Sequence, residues 1–324
     1  MKVQNALFIF LAINILTLCA FAAEQTTPKD IQILFNKNNK SLLNAAKNSD
    51  LDKAKELLKE KHININTINE SGHTPLILAA KHCPEIAKML LPLGANPNIQ
   101  TNRGYTALMY AMLDSNPELV KTLCEFGADV NITNNEGDTA LCLALKNVIK
   151  PSKRIKIVKI LLQFHADPNK SKPGKAPLLI ELSHYYAESE IIKALIDAGA
   201  NVNAQNKDGY TPLIYSVQEG KESAIMQMLL NAGANLNIQN NYGETALFEA
   251  VECHNLNKVK ILLNAGANPN ISTFKNITPL DSAKEYQPWW TSEVWQNSES
   301  EIVKMLLTAG AKSSTNYNNI EDIN

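Results

Sequence analysis

Residues 72–104 read GHTPLILAAKHCPEIAKMLLPLGANPNIQTNRG, and the punctuation of this stretch decides the fold. Two residues after Gly72 comes Thr74-Pro75-Leu76. A threonine hydroxyl can accept a hydrogen bond from the free amides of a first helical turn. Proline at the first helical position has no intrahelical bond to lose and presets φ. The small pair Ala79-Ala80 then lets a neighbouring helix approach closely. A second helix carries the apolar pair Leu90-Leu91 and stops at Gly94, where a left-handed backbone closes it without a Cβ clash. Ala95-Asn96-Pro97-Asn98 follows as a turn, because asparagine tolerates turn conformations and its amide bonds nearby backbone. At Gly104 the phrase begins again.

The recurrence runs along the chain. Gly72, Gly104, Gly137, Gly174, Gly209 and Gly243 are separated by 32, 33, 37, 35 and 34 residues. Gly94, Gly127, Gly199, Gly233, Gly266 and Gly310 form a second series, with His165 filling its gap; of the 13 glycines only Gly220 belongs to neither. The helix start returns as Thr106-Ala107-Leu108, Thr139-Ala140-Leu141, Thr211-Pro212-Leu213, Thr245-Ala246-Leu247 and Thr278-Pro279-Leu280, whereas Ala176-Pro177-Leu178 lacks the hydroxyl. The turn returns as Ala128-Asp129-Val130-Asn131, Ala200-Asn201-Val202-Asn203, Ala234-Asn235-Leu236-Asn237 and Ala267-Asn268-Pro269-Asn270. Periods near 33 residues point to a helical solenoid.

The unit closely resembles the ankyrin repeat, whose T-P-L-H-x-A and G-A-D-x-N phrases are matched several times in phase. The resemblance covers about residues 38–312 and implies an all-α solenoid of about eight helix-turn-helix units joined by β-hairpin-like turns. The repeats fall near 38–69, 70–102, 103–135, 136–172, 173–207, 208–240, 241–273 and 274–312. Residues 40–69 keep Leu42-Leu43, Ala45-Ala46 and Leu57-Leu58 but lack both glycines, as suits an N-terminal capping repeat with one neighbour. The fourth and eighth repeats are expanded, around 147–154 and 285–300, and both insertions are expected to form surface loops. Residues 23–37 read as a linker and 313–324 as a polar tail.

Ahead of the repeats, Lys2, the apolar run Ala6–Leu18 and Ala20-Phe21-Ala22 have the layout of a secretory signal peptide cleaved after Ala22. The 1–22 segment therefore predicts export, to the periplasm or the medium, and no membrane span after cleavage. With 45% hydrophobic residues the chain can fill a large core, and a net charge of −1 argues against a nucleic-acid partner held by general electrostatics. Cys83, Cys124, Cys142 and Cys253 form no C-x-x-C pair, and the six histidines are dispersed, so no metal or cofactor site is expected. Cys124 and Cys142 fall in neighbouring repeats, where they either pair or serve as small buried hydrophobes.

Nucleophile-elbow, zinc-protease, dinucleotide and P-loop motifs are all missing from the sequence, and the expectation is a monomeric, non-catalytic protein-binding scaffold. The ankyrin resemblance implies recognition through the concave side, built from hairpin tips and first-helix residues. Around the tips stand Glu70, His73, Arg103, Tyr105, Glu136, Asp138, Lys207, Asp208, Tyr210, Tyr242 and Glu244. Arg103, Tyr105, Asp208, Tyr210 and Tyr242 are the candidate contacts, since rigid aromatic groups give contact area at low entropic cost. Tyr110 and Tyr215, one turn into the first helix, either join them or pack between repeats. Trp289, Trp290 and Trp295 crowd the last insertion, as a binding loop or a cover for the C-terminal end of the core. Two further readings are an effector acting on a host protein and an enzyme with an unrecognised site on the repeat frame.

Overall fold

The structure is a computed structural model. It describes residues 28–314 apart from 61–62, 114, 147–149, 173, 185–188, 219–222 and 286–292. Side chains are described from 36 onward, with 184, 285 and 293–300 also left out. The 1–22 segment read as a signal peptide, Trp289 and Trp290 lie outside the described residues. The described residues form 16 α-helices and one short 3-10 turn, with no strand. The chain divides into two compact units, Met1–Asp129 and Val130–Asn324.

In the first unit α1 (Pro28–Asn48) pairs with α2 (Leu51–Leu57), α3 (Pro75–His82) with α4 (Pro84–Leu90), and α5 (Ala107–Leu113) with α6 (Pro117–Glu125). Ten residues of the stretch read as a linker, 28–37, thus belong to α1. First helices pack in one row (α1 on α3, α3 on α5) and second helices in another (α2 on α4, α4 on α6). Leu76, Ile77, Leu108, Met109, Ile86, Leu90, Leu119 and Leu123 fill the space between the rows, none more than 1% exposed. Each such side chain contributes about 1.5–3 kcal/mol by leaving water. Ala79, Ala80 and Ala111 are fully buried, as suits small residues on packed helices.

The second unit repeats the plan. Its pairs are α7 (Ala140–Lys146) with α8 (Pro151–Gln163), α9 (Leu178–His184) with α10 (Ser189–Asp197), and α11 (Pro212–Val217) with α12 (Ser223–Asn231). α13 (Ala246–Glu252) pairs with α14 (Leu256–Asn264), and α15 (Pro279–Glu285) with α16 (Glu293–Thr308). The insertions correct the loop expectation. α8 has 13 residues and α16 has 16, against 9 in α10, α12 and α14, so part of each insertion lengthens the second helix. Pro151 starts α8 and neither extension contains an internal Gly or Pro to interrupt it.

Local chemistry secures the helix ends. Thr74 accepts from the Ile77 amide at 3.1 Å, and Thr106, Thr139, Thr211, Thr245 and Thr278 make the same bond three residues on. Lys258, on α14 and only 2% exposed, donates to the Val217 and Gln218 carbonyls at 3.1 and 3.0 Å. Those carbonyls close α11, where a cation is favoured by the helix dipole.

The turns interlock from one repeat to the next. The Asn169 side chain accepts from the Asn201 amide at 2.7 Å and donates to the Gly199 carbonyl at 3.0 Å. Asn66, Asn98, Asn131 and Asn270 repeat this two-way clamp on the following unit. Cys83, Cys124 and Cys142 are buried, and all four described cysteines are thiols. Burial, reinforced by Glu125, pushes the Cys124 thiol up to about 12. The thiol therefore stays protonated, which fits the buried-hydrophobe reading.

Candidate functional site

The tips are built by side chains that imitate backbone. The Asn206 Oδ1 accepts from the Asp208 and Tyr210 amides at 3.0 and 2.9 Å, holding the loop around Gly209. Asn240 does the same for Tyr242 and Glu244, both at 2.9 Å. In the last repeat Thr273 takes the asparagine's place and Asn276, at φ 61°, takes the glycine's.

On the first unit Tyr105 and Tyr110 lie ring to ring at 5.5 Å, and His73 stands 5.8 Å from Tyr110. The His73 Nε2 and Tyr110 hydroxyl are 3.2 Å apart, and Lys81 places its ammonium 5.8 Å from the Tyr110 centroid. Tyr110 therefore packs between repeats. Arg103 is exposed at its tip, beside Tyr105. Burial, aided by Lys81 and His82, lowers the His73 pKa, so the ring favours its neutral form.

On the second unit Tyr210 stacks on Tyr215 at 5.0 Å and meets Tyr242 edge-on at 6.5 Å, 67° between planes. The sequence candidates Tyr210 and Tyr242 are thus brought together. Tyr215 is held within its own repeat by the Asn206 side-chain amide, which donates to its hydroxyl at 3.1 Å. Burial pushes the Tyr210 hydroxyl up to about 12, with Glu244 and Glu249 adding to the effect. Burial also raises the Glu249 carboxyl; the Gln218 amide at 3.1 Å opposes this, and the neighbouring Glu244 and Glu252 reinforce it. Among the described residues Asp208, Glu244, Glu249 and Glu252 form no ion pair with a lysine, arginine or histidine. Beside them a cleft of about 560 Å³ is lined by Tyr242, Glu244, Phe248, Glu252, Phe274 and Ile277, among others. Tyr242 is 59% and Phe274 70% exposed, on successive tips joined by the Phe274 amide donating to the Tyr242 carbonyl at 3.1 Å.

Other tip residues are occupied otherwise. Asp138 is buried and ion-paired with Lys146, and Glu136 stands 3.9 Å from the Lys172 ammonium. Trp295 lies on α16, its side chain outside the described residues. Sequence reading missed Phe248, Glu249, Glu252 and Phe274. The last repeat has no tip glycine, and aligning Thr273–Thr278 with Asn240–Thr245 is the signal that reveals Phe274 at a tip. Among the described residues no cluster of His, Cys, Asp and Glu is arranged to hold a metal ion, and no helix is long and apolar enough to cross a membrane.

The family model for ankyrin repeats matches three times, over residues 16–101, 83–172 and 182–273. The chain belongs to the ankyrin repeat family. An ankyrin repeat protein of Rickettsia bellii (strain RML369-C) is 39% identical over 88 residues, which is 26% of this chain but 13% of that relative. Among solved structures, the ankyrin repeat protein EF0377 superposes with a TM-score of 0.51 at 24% identity, covering 62% of this chain and 96% of its own. That likeness bears on the fold, which is the all-α fold of an ankyrin solenoid. Ankyrin repeats generally act as protein–protein interaction scaffolds.

Proposed function

We propose that this protein is an exported, non-catalytic scaffold that binds a protein partner through its hairpin tips and first helices. The observation that carries the reading is the surface pairing of tip aromatics. Tyr105 on the first unit, and Tyr210, Tyr242 and Phe274 on the second, stand at hairpin tips, the first two half-exposed and the last two largely exposed. Such rings are the usual anchors of protein interfaces. Arg103 and Asp208 supply charge at the same two sets of tips. Export rests on the Lys2, Ala6–Leu18 and Ala20-Phe21-Ala22 layout and places the scaffold in the periplasm or the medium.

Affinity capture from the protein's own cell fractions tests the binding role. A partner retained by the native chain and lost with Tyr105→Ala/Tyr210→Ala supports it; equal retention by the double variant contradicts the tip assignment. N-terminal sequencing of the periplasmic and culture-medium protein should begin at Ala23, and an uncleaved cytoplasmic chain would refute export.

A further inference from the structure

The second-unit face departs from an ordinary aromatic interface in its electrostatics. Glu244 and Glu249 flank the Tyr210–Tyr242 pair, each half-buried, and Glu252 lines the cleft beside Phe248. Of the cations on this side, Lys207 is exposed at its tip, Lys275 lines the rim of the cleft and Lys258 is buried on the Val217 and Gln218 carbonyls; Lys207 and Lys275 make no ion pair with these carboxylates. Phe274 and Tyr242 leave large apolar faces in water next to carboxylates held by the neutral side chains of Asn240, Gln218 and Ser282 rather than by an ion pair. Aromatic rings set at a steep angle attract a cation through their faces, and nearby carboxylates add direct charge-assisted hydrogen bonds.

We infer that this face takes a basic segment of the protein partner. An arginine or lysine side chain lies against Tyr210 and Tyr242 between Glu244 and Glu249, and an adjacent apolar side chain fills the cleft between Phe248 and Phe274. The inference rests on the scaffold reading above and adds the chemistry of the partner. Charge complementarity selects the occupant: an acidic segment would bring like charge onto carboxylates that already repel one another, whereas a basic one relieves that repulsion.

The probes are ten-residue Gly/Ser peptides carrying two Arg-Leu pairs, two Glu-Leu pairs or two Arg-Ser pairs, titrated into the full chain with binding followed by calorimetry and backbone NMR shifts. The Arg-Leu peptide should bind saturably at one site, shifting Tyr210, Tyr242 and Phe274. The Arg-Ser peptide should bind more weakly and the Glu-Leu peptide not at all. Glu244→Gln/Glu249→Gln should weaken Arg-Leu binding about tenfold or more. Should that pair unfold, Tyr242→Ala with Glu252→Gln, both at exposed positions, replaces it with the same expectation. Binding of the Glu-Leu peptide as tightly as Arg-Leu, shifts spread evenly over the surface, or indifference to the glutamate changes overturns the inference. A partner captured through the tips but indifferent to Glu244→Gln/Glu249→Gln overturns this inference alone. Arg-Leu binding at the site with no partner captured from the cell counts against the scaffold reading alone.

Discussion

A Cβ placed on Gly243 would lie 2.5 Å from the backbone nitrogen of Phe274, the nitrogen that bonds the Tyr242 carbonyl at 3.1 Å. At Gly266, by contrast, a Cβ would meet nothing within 4 Å, although both glycines have positive φ, 83° and 92°. The two glycines are thus different devices, with Gly72 and Gly209 crowded by the next tip like Gly243 and Gly174 open like Gly266. Gly243→Ala should cost about 3 kcal/mol or more, summing left-handed strain and displacement of the next tip. Gly266→Ala should cost about 1 kcal/mol, from strain alone. Urea unfolding of the two variants side by side measures the difference; equal losses would show that the next tip yields freely.

The asparagine clamp gives a second expectation. Asn169→Ala removes both the bond from Asn201 and the bond to Gly199. At this exposed position water partly replaces them, so the loss should be about 1 kcal/mol. Asn169→Asp keeps the acceptor and loses the donor, setting a carboxylate against the Gly199 carbonyl, and should be no better than alanine at neutral pH. Thermal unfolding at pH 7 measures both.

Asp281 provides a pH signature. It is fully buried and accepts from the Thr278 amide, the Thr278 hydroxyl and the Ser314 amide. Burial alone would raise its pKa, but the hydrogen bonds from Thr278 and Ser314 outweigh it and hold the carboxyl below its ordinary 3.8. A carboxyl with a depressed folded pKa stabilises the fold fully above the unfolded value, and the stabilisation is lost as pH falls through the folded pKa. Asp281→Asn should therefore cost about 2 kcal/mol at pH 7. The gap to the native chain should hold from pH 8 to 5 and narrow below 3.8. A gap independent of pH would show that the carboxylate charge contributes nothing.

Two departures from the repeat are expected to be improvable. His165 adopts φ 63° where the other repeats have glycine, and its carbonyl takes the same bond from Asn131 that Gly199 takes from Asn169. His165→Gly should gain about 0.5 kcal/mol, the relief of left-handed strain less the added freedom of the unfolded chain. Ala176 precedes Pro177 and α9 without a hydroxyl, so Ala176→Thr should restore the missing cap for about 1 kcal/mol. Calorimetric unfolding of each variant provides the check; a lower melting temperature for either would mean that its backbone does not follow the repeat.

What the sequence determined by itself was what neighbours along the chain decide. Thr74, Gly94 and the Asn96 side chain, which accepts from the Asn98 amide, act within a few residues, because caps, left-handed closures and such turn bonds are satisfied locally, so repeat count and helix order were legible. The insertions were misjudged because Lys150–Arg154 and the residues from Glu293 can serve equally in a loop or an extra helical turn. Only the surrounding packing chooses between them. The candidates Tyr210 and Tyr242 were legible as tip aromatics, but not their meeting at 6.5 Å, nor Glu249 and Phe274 beside them. Those residues stand a repeat apart in sequence and become neighbours only when helices stack. Burial of Lys258 on the Val217 carbonyl has the same origin, 41 residues apart. Periodicity specifies the frame through local bonds; stacking alone decides which side chains from successive repeats share one face, and so what charge and shape that face presents.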